Sequence, residues 1–162
     1  MRKREAWQLA TQSLSQAGKA DARFEAELLL RSALGEDRAR FFATLEDELD
    51  EAKLAEFWHW LEERASGVPL QHLVGRQEFM GLNFAVSPAV LIPRPDTEIA
   101  VEVALELMRQ LQQPLVADIA TGSGAIAVAL AYHHQGAKVW ATDISGDALA
   151  VARQNAARNG VG

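Results

Sequence analysis

Apolar positions recur at helical spacing through the first third of the chain and give way to alternation and short apolar runs after it. Trp7, Leu9, Leu14 and Ala17 mark a first helix, stopped by Gly18. Asp21 is placed to cap a second, in which Phe24, Leu28 and Ala33 sit among Leu29, Leu30 and Leu34 before Gly35. Phe41 and Phe42 fall in a short third element. Asp50 is placed to cap a fourth, with Leu54, Phe57, Trp58 and Leu61 at the i, i+3, i+4, i+7 spacing of one buried stripe. Residues 1 to 66 therefore predict a small helical bundle, and the helical spacing accounts for its aromatics as core rather than as a ligand pocket.

Ser66-Gly67-Val68-Pro69 breaks that pattern. From Gln71 onward the period shortens: Gln71 to Val74 and Gln77 to Met80 flank Gly75, and Leu82, Phe84 and Val86 alternate with Asn83 and Ala85, which predicts a β-hairpin linker over 67–92. Pro93 and Pro95 set an extended course and then release into a helix that Asp96 is placed to cap, with Ile99, Val103, Leu107 and Leu111 on the face expected to pack beneath the next strand.

Leu115 to Asp143 is the richest stretch. It reads as a strand to Ala120, a loop Thr121-Gly122-Ser123-Gly124, a helix from Ala125 to Tyr132, and a second strand that ends at Asp143. Two closely spaced glycines let the backbone turn sharply against a ligand, and the following helix points free N–H groups at the same spot. Asp143 stands about 20 residues beyond the loop, where a second strand delivers a carboxylate to ribose hydroxyls. Gly122-x-Gly124-x-x-Ala127 also meets the dinucleotide spacing, but Asp118 at the mouth of the loop would repel a pyrophosphate and attract an ammonium or sulfonium group. S-adenosyl-L-methionine carries both cations and is the cofactor expected, over NAD and over a loop that merely joins strand to helix.

Composition narrows the alternatives. The chain has 162 residues, 49% of them hydrophobic, and no cysteine, which excludes disulfides and thiolate metal sites. His59, His72, His133 and His134 lack paired ligand spacing, so no metal is expected. A net charge of −6 argues against direct nucleic-acid binding and against an anionic membrane surface. Arg2-Lys3-Arg4 is followed by Glu5 rather than by an apolar signal core, so a cytoplasmic location is the default expectation.

The words Pro69-Leu70-Gln71, Glu78-Phe79-x-Gly81-Leu82-x-Phe84-x-Val86, Ile92-Pro93-Arg94-Pro95-Asp96-Thr97-Glu98 and Thr121-Gly122-Ser123-Gly124-Ala125-Ile126-Ala127 together resemble the peptide chain release factor glutamine methyltransferases. The likeness covers nearly all of 66–162, and the helical region is similar by layout more than by words. The resemblance implies an α + α/β chain. A helical substrate-binding domain would span 1–66, a hairpin linker 67–92, and the first part of a Rossmann-like S-adenosylmethionine-dependent methyltransferase domain 93–162. It implies methyl transfer to the glutamine side-chain amide in the Gly-Gly-Gln motif of peptide chain release factors. Ala120, Thr121, Gly122, Ser123 and Gly124 would hold the cofactor, Asp143 its ribose and Asp118 its methionine end. Arg94 and Thr97 would lie near the active-site entrance, a turn or capping role being an equal alternative for them.

Two departures from the family pattern stand out. Ala120 occupies the position of the family's first glycine, harmless if its φ is negative and costly otherwise. The family's catalytic Asn-Pro-Pro-Tyr does not occur between Met1 and Gly162. From that absence a fragment of a longer enzyme, without methyl transfer on its own and with an unpaired strand edge at Leu115–Ala120, is expected. The other function classes are a non-catalytic module that holds a release factor and a dinucleotide-binding oxidoreductase fragment.

Overall fold

A computed structural model describes residues 1–162, which divide into two compact units, Met1–Val74 and Gly75–Gly162. The first unit is helical throughout: α1 (Lys3–Gln16), α2 (Ala22–Leu34), α3 (Arg38–Ala43), α4 (Glu51–Ser66) and α5 (Leu70–Val74). Asp50 starts α4 by accepting hydrogen bonds from the backbone N–H groups of Ala52 and Lys53 at 3.0 and 3.2 Å, and Asp37 starts α3 in the same way from Arg40 at 2.8 Å. Asp21 stands at the N-cap of α2, yet its side chain makes no capping bond. Gly35 and Gly67, in left-handed conformation, end α2 and α4.

The stripe that α1 buries is Ala6, Trp7, Ala10 and Leu14, whereas Leu9, expected inside, is 48% exposed. Alanines at that spacing let α1 lie close to α2, and a pattern read from large side chains alone overlooks them. Leu29, Leu30, Phe41, Phe57 and Leu61 complete the core, while Phe24 and Phe42 lie largely outside it. Polar links between helices are themselves sheltered. Arg64 grips Glu25 with two bonds of 2.6 and 2.9 Å, a pairing that raises the guanidinium's affinity for its proton, and the buried Lys3 ammonium reaches Glu36 at 2.8 Å and Thr44 at 2.7 Å. Gln71 to Val74, expected to be extended, are helical: the carbonyl of Pro69 accepts from the N–H of His72 at 3.0 Å, and Leu70 enters the bundle core.

The second unit opens with a hairpin, β1 (Arg76–Phe79) and β2 (Leu82–Ala85), in which Phe79 pairs with Leu82 across the two-residue turn Met80-Gly81. Both turn residues have positive φ, 52° and 72°, the geometry whose twist matches a two-residue hairpin. The left-handed Met80 is held from both sides: its N–H donates to Glu98 Oε1 at 2.6 Å, and its carbonyl lies 3.0 Å from His133 Nε2. Phe79, Leu82 and Phe84 enter the core of this unit with Val101, Met108, Val128 and Leu130.

The rest is α6 (Pro95–Met108), β3 (Leu115–Ile119), α7 (Ala125–His133), β4 (Lys138–Thr142) and α8 (Gly146–Arg158). β3 and β4 pair in parallel from Leu115↔Lys138 to Ile119↔Thr142, and β3 has no partner on its other edge. Pro95 occupies the first turn of α6 with Arg94 at the N-cap, so Asp96 lies inside the helix rather than capping it. The face of α6 differs from the expected one. Val101 and Met108 are buried and the helix packs on α7, leaving Ile99, Val103, Leu107 and Leu111 exposed by 53–76%. No helix is long and apolar enough to cross a membrane.

Candidate functional site

β3 delivers the chain to a loop, Ala120–Gly124, that doubles back into α7. Two aspartates fix its course. Asp118, one residue before the end of β3, turns toward the helix side of the sheet, where its Oδ2 accepts from the Thr121 hydroxyl at 2.6 Å and from the N–H of Ala127 at 3.2 Å. Asp143, just beyond β4, accepts from the N–H of Gly122 at 2.9 Å through Oδ2 and from that of Ser145 at 2.9 Å through Oδ1. These backbone donors, Ser145 first and then Gly122, hold the Asp143 carboxyl below the ordinary aspartate range. A bond of 2.8 Å from the N–H of Thr121 to the carbonyl of Thr142 carries the β3–β4 pairing into the loop.

The glycines serve different ends. Gly122, at φ 56°, has open space where a Cβ would stand, whereas a Cβ on Gly124, at φ 79°, would lie 3.0 Å from that of Ala152 in α8. Gly122 thus leaves the loop surface bare, and Gly124 permits close packing of α8. Ala120 adopts φ 62°, a left-handed conformation that its methyl group disfavours. The condition under which this departure from glycine would be harmless is therefore not met.

Asp118, Ala120 to Gly124 and Asp143 come together through these bonds and through the continuous backbone of the loop. Arg94 and Thr97 lie elsewhere, at the start of α6: Arg94 is exposed, and its carbonyl accepts from the N–H of Thr97 at 3.0 Å, a turn contact. No group of three or more His, Cys, Asp or Glu is placed to hold a metal ion.

Two residues that pattern-reading passed over also bear on the site. Ile144, directly after Asp143, is fully exposed, an apolar side chain beside the carboxylate. Asn155 is fully buried in α8 and its amide reaches the carbonyl of Ser123 at 2.8 Å. The sequence held a signal for the second: an amide at the same helical spacing as the buried Ala148 and Ala152.

The hydrogen bonds of the loop bear on which nucleotides its surface could accept. A dinucleotide site needs the first-turn N–H groups of its helix free for phosphate, but here Asp118 takes that of Ala127 and holds a negative charge at the positive end of α7. Asp143 uses one lone pair of each oxygen, leaving acceptor capacity for hydroxyl groups. A bare loop surface, a carboxylate with spare acceptors and an apolar neighbour suit an adenosine bearing a cationic tail.

Comparison with known proteins bears on both units. Residues 5–75 match the family described as PrmC N-terminal domain, and residues 94–162 match the methyltransferase small domain. A release factor glutamine methyltransferase of Moorella thermoacetica is 49% identical over 152 residues, covering 94% of this chain and 54% of that protein. Proteins of the same name from Burkholderia pseudomallei and Mycolicibacterium smegmatis are each 44% identical, over 88% and 99% of this chain and 50% and 56% of theirs. The chain thus spans about half the length of the curated relatives it matches.

Proposed function

The chain belongs with the release factor glutamine methyltransferases over the half of their length that it spans, and on that premise we propose that its Ala120–Gly124 loop holds S-adenosyl-L-methionine for methylation of the Gly-Gly-Gln glutamine of peptide chain release factors. The observation that carries this reading is the pair of aspartates pinning the loop, with Asp118 placed where a pyrophosphate would have to bind. The cofactor supplies a methyl group activated by a sulfonium. In this reading Asp143 accepts from the ribose hydroxyls, Ile144 offers apolar surface to the adenine, and Gly122 and Ser123 present backbone against the nucleoside. Asp118 braces the loop through Thr121 and sets a negative charge near the methionine end. Arg94 and Thr97 are assigned either a place near the active-site entrance or the turn they form at the start of α6.

Residues 93–162 are read as the opening part of a Rossmann-like methyltransferase domain to which the β1–β2 hairpin adds core residues, with the helical unit Met1–Val74 gripping the release factor, in a cytoplasmic setting. A glutamine amide nitrogen is a weak nucleophile, its lone pair being delocalised into the carbonyl, so it must be oriented by groups that accept its N–H bonds. No residue between Met1 and Gly162 is assigned that task, and the chain alone is expected to bind cofactor without transferring the methyl group. Isothermal titration of the chain with S-adenosyl-L-methionine and, separately, NAD tests the cofactor assignment. Saturable binding of the first and none of the second is expected; preference for NAD would return the site to the oxidoreductase class.

A further inference from the structure

The geometry points to Asn155 as a positioning residue that couples the β1–β2 hairpin to the cofactor loop; this rests on the reading of Ala120–Gly124 as a cofactor site. Asn155 is fully buried, and both ends of its amide are engaged: Oδ1 accepts from the N–H of Ala85 at 2.6 Å, while Nδ2 donates to the carbonyl of Ala85 at 3.0 Å and to that of Ser123 at 2.8 Å. One side chain therefore bridges the end of β2, the loop and α8, joining segments 70 and 32 residues away in sequence.

The side chain is also matched to its partners. One acceptor faces one donor and the two amide hydrogens face two carbonyls, so an aspartate would set an oxygen against both carbonyls and a leucine would leave all three groups without a partner. One turn earlier, Ala152 abuts Gly124, where a Cβ would approach to 3.0 Å. Ala152 and Asn155 together fix where Ser123 and Gly124 lie. The other α8 contact with the hairpin, Asn159 Nδ2 to the carbonyl of Asn83 at 3.2 Å, touches no part of the loop. The far end of the hairpin is held separately, at Met80, by Glu98 and by His133, which stands at the end of α7 away from the loop. Ordering of the loop by a ligand is thus transmitted through Asn155 to Ala85 and not to Met80.

Amide hydrogen exchange of the full chain with and without S-adenosylhomocysteine, combined with titration of two variants, tests this. In the unaltered chain the ligand is expected to slow exchange at Ala85 more than at Met80. Asn155→Leu is expected to raise the dissociation constant about tenfold, the effect of losing a buried hydrogen bond to the loop, and to abolish the difference between Ala85 and Met80. Asn159→Ala is expected to leave the dissociation constant within about twofold, because it removes a hairpin contact and a bond to the backbone carbonyl of Asn155, neither of which involves the Asn155 amide or the loop. Unchanged affinity in Asn155→Leu, or equal slowing at Ala85 and Met80 in the unaltered chain, overturns the coupling. The second comparison decides even if Asn155→Leu does not fold. Failure of the unaltered chain to bind S-adenosylhomocysteine is a different result, which overturns the cofactor assignment and this inference with it.

Discussion

The two units of this chain solve different problems. Met1–Val74 closes a core on itself: each of its five helices contributes a buried apolar side chain, and the ion pairs Arg64–Glu25 and Lys3–Glu36 are sheltered within the bundle. Gly75–Gly162 encloses a smaller core and leaves Leu115, Ile119 and Trp140 on its parallel sheet 72–76% exposed, along with the outer stripe of α6. What it does determine closely is the path of one loop, through Asp118, Asp143 and Asn155. The helical unit directs its sheltered polar groups to holding its segments together, and the α/β unit directs the buried Asn155 and two half-buried aspartates to holding the Ala120–Gly124 backbone in place.

The largest effect expected to sharpen this contrast is Phe57→Ala. Phe57 is fully buried in the helical core, and its loss is expected to destabilise that unit by about 3–5 kcal/mol, read by urea unfolding followed by circular dichroism. A cost below about 1 kcal/mol, the level of an ordinary surface site, would break the claim that this unit has a closed core.

Ala120→Gly acts in the opposite direction. Relieving a left-handed alanine is expected to stabilise the α/β unit by about 1 kcal/mol and to strengthen S-adenosylhomocysteine binding several-fold, as seen by thermal shift and titration. A loss of both would mean that the methyl group makes a contact the ligand needs.

Leu107→Lys, on the uncovered stripe of α6, is expected to change the stability of this chain by less than about 0.5 kcal/mol, again by urea unfolding. A large cost would show that this face is covered in solution. The smallest effect is one of pH. Asp143 is held below the ordinary aspartate value of about 3.9, so its contribution is complete above that value and lost only as the pH falls through the lowered one. The Gly122 amide resonance is therefore expected to stay constant from about pH 8 to about pH 5 and to move only in more acid solution.

Element types were legible in the sequence where punctuation and period agreed. Asp50, Gly35 and Gly67 bound their helices as their residue types require, and the glycine loop lies between the strand and the helix its spacing demanded. What was not legible depended on partners distant in sequence. On α6, large apolar residues formed a convincing stripe, but the face that packs on α7 is the one carrying Val101, Ala104, Leu105 and Met108. Gln71 to Val74 look alternating in isolation and turn helical because Leu70 has a core to enter. The candidate site divides in the same way. Asp118 and Asp143 announce themselves by position after apolar runs, whereas Asn155 becomes visible only when the hairpin and the loop are brought to either side of it.

The most direct test of the central claim is a residue-resolved map of amide chemical-shift changes when S-adenosylhomocysteine is added to the chain. The account predicts the largest changes at Ala120 to Gly124 and at Asp143 and Ile144, saturating with a single dissociation constant. Changes confined to Met1–Val74, or none at saturating ligand, would contradict it.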